Sequence, residues 1–350
     1  MAEQKRKAVV LITPGFAADE QDTTWVPVLQ QYVSGFSKLR PDIELRVIAL
    51  HHPHEQKHYK WHGVNVYSTG GRGKLFLRLL VFRRIIKELD RIRKEFGISV
   101  IHSYWLTDAT LIAQRYCKQR NIKHIAYAIG QDVIPSNKYL KLLDLSRMHV
   151  VAMSQSIVNK CYETTGFKIS DIIPAGVVVD EVTMPEEPRT IDIIGIGSLS
   201  PLKNYLLFTE IIAELKKKFP RLNVALIGKG QQEHLIKDKI KAEGLENTIK
   251  MMGSIPHKKV LGYMNRSKIL LHTSSYEGQS TVIMEALAMG LHIVCFDVGR
   301  INNEKIKVCN SKDEMVKQLK LLLSSSMEYN RVIPLTSVDT VKQFISVYGI

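Results

Sequence analysis

Short apolar runs recur along the chain, separated for the most part by stretches with the three-to-four-residue apolar spacing of a helix. They predict strands at Ala8–Ile12, Leu45–Leu50, Val64–Tyr67, Ser99–His102, His124–Ala128 and His149–Met153. A second series follows at Ile191–Ile196, Val224–Ile227, Ile249–Met251, Ile269–Leu271 and His292–Phe296. Strands alternating with helices imply parallel sheets covered on both faces. Between the two series, Val182–Thr190 holds two prolines among polar residues and reads as a linker. The simplest architecture is α/β, with two Rossmann-like domains facing a central cleft: residues 1–180, a linker at 181–190, and residues 191–335. Residues 336–350 hold an amphipathic helical pattern from Ser337 to Tyr348.

A length of 350 residues suits two domains, each with its own core. The first residues run directly into an apolar strand without a signal-like core, and no segment approaches the ~18 apolar residues of a membrane span, so the reading is a cytoplasmic protein. Cys117, Cys161, Cys295 and Cys309 form no C-x-x-C pair, so neither a disulfide framework nor a zinc site is indicated. The formal charge of +15 calls for a polyanion, and nucleic acid, an anionic membrane surface and a phosphorylated substrate all qualify.

In open parallel sheets, ligands bind beyond the carboxyl ends of the strands. The residues at those ends are Gly15, His102, the Gly130-Gln131-Asp132 turn, the Gly197–Asn204 loop and Gly228-Lys-Gly230. The densest chemistry follows Ile269–Leu271: a small-residue loop with Glu277, Gly278, Gln279 and Ser280, then a helix from Thr281 to Met289 ended by Gly290. The unpaired amides and positive dipole of the Ser280–Thr281 helix start suit a phosphate or diphosphate. Glu277 and Glu285 have the opposite character and would accept hydrogen bonds from the hydroxyls of a sugar or ribose.

Glu277 and Glu285, set in Ser-x-x-Glu-Gly and Glu-Ala-Leu-Ala-Met-Gly, resemble the E-x7-E signature of glycosyltransferase family 4, retaining nucleotide-sugar enzymes of GT-B fold. The resemblance implies that Glu277 contacts the donor hexose and Glu285 the nucleotide ribose. Gly197–Asn204 resembles the family's G-R-L-x-x-x-K loop, with Lys203 as the diphosphate-neutralising lysine and Ser198 at the usual arginine position. Arg300 and Arg266 are candidates to replace that missing cation. Asp171–Val177 and Met251–Pro256 resemble two further family segments, so that the likeness spans residues 95–297. In GT-B proteins a terminal helix packs back on the first domain, which is the place expected for Ser337–Tyr348. Where the family has His-Gly-x-Asp, this chain has Ile129-Gly-Gln-Asp132. Asp132 then either contacts a substrate hydroxyl or forms an Asx turn or helix cap, and His102 either substitutes for the absent histidine or is a structural hydrogen-bonder.

His54, His58 and His62 stand at four-residue spacing near His51 and His52, but breakers among them favour a mobile acceptor-side loop over a metal site. The chain has no Asp-x-Asp pair, so a metal-clamped diphosphate is not indicated, and neither metal nor cofactor is expected beyond the donor itself. Gly70–Lys94 carries nine basic residues against two acidic, with an apolar face of Phe82, Ile85, Ile86, Leu89 and Ile92. It reads either as a sheet-covering helix or as a surface, Arg72–Lys94, that meets the anionic inner face of a membrane. The expectation is a hexosyltransferase acting on a saccharide or lipid-linked acceptor, as in polysaccharide or glycoconjugate synthesis. The competitors are a non-catalytic sugar-nucleotide binder, an epimerase of the same fold, and a nucleic-acid binder, for which the recognised aromatic interleaving is missing.

Overall fold

The computed structural model describes residues 6–23, 25–73, 78–299 and 302–350. The chain divides into two compact units, Met1–Ala175 with Ser337–Ile350, and Gly176–Thr336.

The first unit is built from β1 (Lys7–Gly15), α1 (Pro27–Leu39), β2 (Glu44–His52), β3 (Gln56–Trp61), β4 (Val64–Thr69), α2 (Arg78–Glu95), β5 (Gly97–Tyr104), α3 (Asp108–Arg120), β6 (Lys123–Ala128), β7 (His149–Ala152), α4 (Gln155–Thr165) and β8 (Asp171–Ile172). The eight strands run in the order β3-β4-β2-β1-β5-β6-β7-β8, parallel throughout except for the β3–β4 pair. Alternate residues of β1 serve the two faces. Val9 and Leu11 pack with Leu29, Val33 and Phe36 of α1, while Val10 and Ile12 pack with Ile85 and Leu89 of α2. Burial on both faces is why these strands read as continuous apolar runs.

Two expectations change here. The segment around His58, expected as a loop, is the edge strand β3, whose burial alternates along its length. Its Lys57, His58 and Lys60 are the polar residues that blunt an exposed sheet edge, and His58 stacks on Tyr67 at 4.5 Å. On α2, the buried stripe is Val81, Ile85, Leu89 and Ile92 with the carboxylate of Glu88, while Phe82 and Ile86 are only partly buried.

The helix Ser337–Tyr348 packs into this first unit through Val341, Phe344 and Tyr348. It completes an aromatic socket around the fully buried His102, whose Nδ1 lies 2.5 Å from the Tyr348 hydroxyl. Tyr104 stacks on the imidazole at 4.5 Å and Phe344 lies at 4.7 Å. Burial, together with the neighbouring His124, holds His102 well below the ordinary histidine range, and burial takes His124 down to about 3.

Both imidazoles are therefore neutral in the folded unit, which binds fewer protons than the unfolded chain below pH ~6.5. The contribution of His124 is fully present above that pH and is lost as the pH falls towards 3, and that of His102 is lost in the same direction. Each histidine costs about 1.4 kcal/mol of stability per pH unit across that window. Urea unfolding of the first unit between pH 7.5 and 4.5 should show this slope, and His124→Gln should flatten it; an unchanged slope in the variant would remove His124 as its source.

The second unit contains α5 (Val179–Val182), β9 (Ile191–Ile196), α6 (Tyr205–Lys218), β10 (Val224–Ile227), α7 (Glu233–Ala242), β11 (Ile249–Gly253), α8 (His257–Asn265), β12 (Ser267–His272), α9 (Thr281–Ala288), β13 (His292–Cys295), β14 (Ile306–Val308) and α10 (Lys312–Leu323). Its sheet, β11-β10-β9-β12-β13-β14, is parallel throughout. The strand order reverses between β9 and β12, the switch point at which open sheets of this kind bind ligands.

The stretch read as a linker belongs to this unit. Val177 and Val182 enter its core, and Arg189 donates to the carbonyls of Met264, Ser267 and Met289 at 3.0, 2.7 and 2.7 Å. The unit's two ends lie together, with the Val177 amide donating to the Leu335 carbonyl at 3.0 Å.

Candidate functional site

The loops leaving β9 and β12 meet at the switch point of the second unit. The Ser275 amide donates to the Leu202 carbonyl at 2.8 Å, and the Thr273 hydroxyl donates to the Lys203 carbonyl at 2.8 Å. The loop after β10 also closes tightly on the β9 loop. A Cβ at Gly228, whose φ is +145°, would stand 1.8 Å from the Gly197 carbonyl oxygen, so only glycine fits. These contacts place the ammonium of Lys203 on the carboxylate of Glu277.

His272, the last residue of β12, supports the same carboxylate. Its Nε2 lies 3.3 Å from Glu277 Oε1, 3.1 Å from Ser280 Oγ and 3.3 Å from Ser274 Oγ. Burial alone would raise the Glu277 carboxyl, but the His272 hydrogen bond and the Lys203 charge outweigh it and bring it down to about 2. Glu277 is thus a fixed anion at neutral pH, able to accept from hydroxyls but not to donate.

Ser280 precedes α9 without capping it through its side chain, because its Oγ is turned to His272. Its own amide is taken by the Gly299 carbonyl at 2.8 Å, and a Cβ at Gly299, where φ is +59°, would stand 2.3 Å from Glu277 Cβ. Thr281 opens α9, with Gly278 and Gln279 buried just before it. Glu285, one turn inside and 8% exposed, has its Oε1 2.8 Å from Nε2 of His257, the first residue of α8.

Of the predicted second-unit residues, Lys203, Glu277, Ser280 and Glu285 thus come together around α9 and its preceding loop. Ser198 is exposed, with its Oγ 3.4 Å from Ser200 Oγ. Arg266 cannot supply the missing cation there: it sits at the amino end of β12, bonded to the Gly262 carbonyl and 3.8 Å from Glu187. Arg300 lies outside the described residues.

The first-unit candidates take structural positions. His102 is enclosed by the aromatic socket described above. Asp132 is 4% exposed and accepts from the amides of Leu106 at 2.9 Å, Gly130 at 2.7 Å and Ile129 at 3.2 Å. Burial raises its carboxyl, opposed by those same amides, all of which precede it in the chain, whereas an Asx turn would use the amide two residues on. Gly15 ends β1 beneath Trp25, whose indole would collide with a Cβ there and stacks on His52 at 3.9 Å. Among the described residues, no group of three His, Cys, Asp or Glu side chains is placed to hold a metal ion.

Sequence reasoning missed His272 and His257. The signal for His272 was present, since it ends a buried strand five residues before Glu277; His257 carried none beyond its place after β11.

Residues 184–334 match the family model described as Glycosyl transferases group 1. The chain is 24% identical over 296 residues to the phosphatidylinositol N-acetylglucosaminyltransferase gpi3 subunit of Schizosaccharomyces pombe, covering 78% of this chain and 63% of that protein, and so spans less than two thirds of that relative's length. It is 24% identical over 261 residues to the 2-deoxystreptamine N-acetyl-D-glucosaminyltransferase of Niallia circulans, covering 67% of each. Among solved structures it is similar to Anabaena HepE in complex with UDP and glucose, with a TM-score of 0.73 at 13% identity, covering 99% of this chain and 100% of that one. At that identity the likeness shows the fold alone. The fold is that of GT-B glycosyltransferases, and the family match lies within the second unit, at residues 184–334.

Proposed function

We propose that this protein transfers a sugar, with retention of anomeric configuration, from a nucleotide diphosphate donor to a saccharide or lipid-linked acceptor. The observation that carries the reading is the grouping of Lys203, Glu277 and Glu285 around α9 at the switch point. When the anomeric C–O bond breaks, its electron pair goes to the diphosphate, while the acceptor hydroxyl oxygen bonds the anomeric carbon and gives its proton to the departing phosphate oxygen. Lys203 and the first-turn amides of α9 are the groups that stabilise that charge. Glu277 accepts from a donor-sugar hydroxyl and Glu285 from the ribose. A uridine nucleotide with N-acetylglucosamine is the first donor to try, because two relatives carry that sugar in their names and HepE was solved with UDP.

The test is donor hydrolysis and UDP titration across UDP-N-acetylglucosamine, UDP-glucose, GDP-mannose and ADP-glucose, in excess EDTA because the reading needs no metal. Turnover of a UDP-sugar is expected, with Glu285→Ala weakening UDP and Glu277→Ala chiefly lowering turnover. Absence of both binding and turnover would overturn the reading. Binding without turnover would favour a non-catalytic binder, a second reading favoured by the structural use of Asp132 and His102 and by Ser198 at the arginine position.

The cytoplasmic face of a membrane is the proposed setting. No described helix is long and apolar enough to cross a membrane, and the described part of Arg72–Lys94 presents exposed Arg83, Lys87 and Lys94, with Leu79 78% exposed at the start of α2. Arg84 and Arg91 are engaged elsewhere, with the Thr69 carbonyl and the Glu88 carboxylate. Each basic residue near an anionic surface contributes about 1 kcal/mol, so replacing Arg83, Lys87 and Lys94 together by glutamine should cut co-sedimentation with anionic vesicles about a hundredfold at low salt. Unchanged sedimentation would leave α2 as a covering helix only.

A further inference from the structure

The two carboxylates of the proposed donor site do not stand alone. Each is held by a histidine that arrives from a different loop. His272 comes from the end of β12 and is 4% exposed. His257 comes from the start of α8, its side chain mostly covered against Glu285.

The carboxylate fixes what the His272 ring is doing. His272 Nε2 lies 3.3 Å from Glu277 Oε1, and the ionised carboxylate can only accept, so the ring is the side of this contact able to supply a hydrogen. The same nitrogen is within reach of Ser280 at the mouth of α9 and of Ser274 on the preceding loop. One buried ring therefore ties the β12 loop, the helix start and the carboxylate into a single geometry. Its Nδ1 is buried without a hydrogen-bond partner among the described residues, so the working contacts of this ring are all on the Nε2 side.

Glu285 has a different environment. It projects from inside α9, and its Oε1 lies 2.8 Å from His257 Nε2. The hydrogen bond joins α9 to α8, and α8 follows the strand farthest from the switch on its side of the sheet. A carboxylate buried to this degree keeps one rotamer only while such a partner holds it.

We propose that His272 and His257 are positioning residues with separate duties. His272 orients Glu277 for the sugar and so governs turnover, while His257 orients Glu285 for the nucleoside and so governs nucleotide capture. The inference rests on the donor-site reading given under Proposed function. A purely structural pair would instead give variants that lose stability and both functions together. The two duties should therefore separate when the rings are removed one at a time, and return when an amide donor is supplied.

The experiment uses the full chain with UDP and UDP-N-acetylglucosamine as probes, and four variants: His272→Leu, His272→Gln, His257→Leu and His257→Gln. His272→Leu should lower kcat about thirtyfold, the scale of a misoriented reacting group, with the Kd for UDP within about twofold of the parent. His257→Leu should raise the Kd for UDP about tenfold, with kcat at saturating donor within about threefold of the parent. Each glutamine variant, whose side-chain amide can reach the Nε2 position, should recover most of its loss.

Crossed effects with rescue support the proposal. Leucine variants that match the parent, or that lose kcat and UDP affinity in parallel with a lowered Tm and no rescue, overturn it while leaving the donor site standing. A parent that neither binds UDP nor turns over any donor of the panel overturns the donor-site reading and this inference with it.

Discussion

Replacing Lys203 with methionine is expected to lower kcat/KM for a nucleotide-sugar donor by about a hundredfold to a thousandfold, the range seen when one preorganised charge-stabilising donor is removed. Methionine keeps the aliphatic stem and deletes the ammonium. On the proposed donor reading two things are lost at once: the cation that would meet the departing diphosphate and the partner that holds Glu277. Ser198 stands where the resemblance puts a second cation, so that position offers the leaving group no positive charge. The Glu277 carboxyl should rise from about 2, since one of the causes that hold it there is gone. Steady-state kinetics with UDP titration checks this. A loss smaller than tenfold would assign the diphosphate to the backbone amides of α9.

Phe344→Ala should destabilise the first unit by about 3–5 kcal/mol, the cost of truncating a fully buried phenylalanine. The ring faces His102 at 4.7 Å, Tyr127 at 5.0 Å and Tyr32 at 5.4 Å. Its loss opens a cavity and loosens the Tyr348 hydroxyl, which lies 2.5 Å from both His102 Nδ1 and the Tyr32 hydroxyl. Thermal unfolding should show the first unit melting earlier. UDP binding, which the donor reading assigns to the second unit, should survive at temperatures below that melt. A Tm within about a degree of the parent would mean that the socket repacks around the missing ring.

The parts of this molecule that were legible in sequence are those in which neighbours along the chain are also neighbours in space. The strand, loop and helix around Glu277 and Glu285 read correctly because an apolar run, small residues and a closing glycine lie within one contiguous stretch. The β3 strand was illegible because an edge strand keeps itself polar, and Lys57, His58 and Lys60 look like a loop. His102 was ambiguous because the residue that decides its role, Tyr348, is 246 positions away. The same holds for Arg189, whose three carbonyl partners lie 75 to 100 residues downstream and turn an apparent linker into part of a core. His257 reaches Glu285 across 28 positions, a separation that no helical or strand period connects.

Because Gly176–Thr336 interrupts the first unit, a ribosome making this protein finishes all of the second unit before it supplies Phe344 and Tyr348 to the first. The second unit is contiguous, and its two ends are bonded at Val177 and Leu335, so it can close its core during synthesis. The first unit waits through that whole interval with the pocket around His102 unfilled and its apolar walls open to water. Translation that stops before Ser337 would therefore yield a nascent chain with a complete second unit and a sticky, half-made first one, the species a chaperone or protease would be expected to recognise.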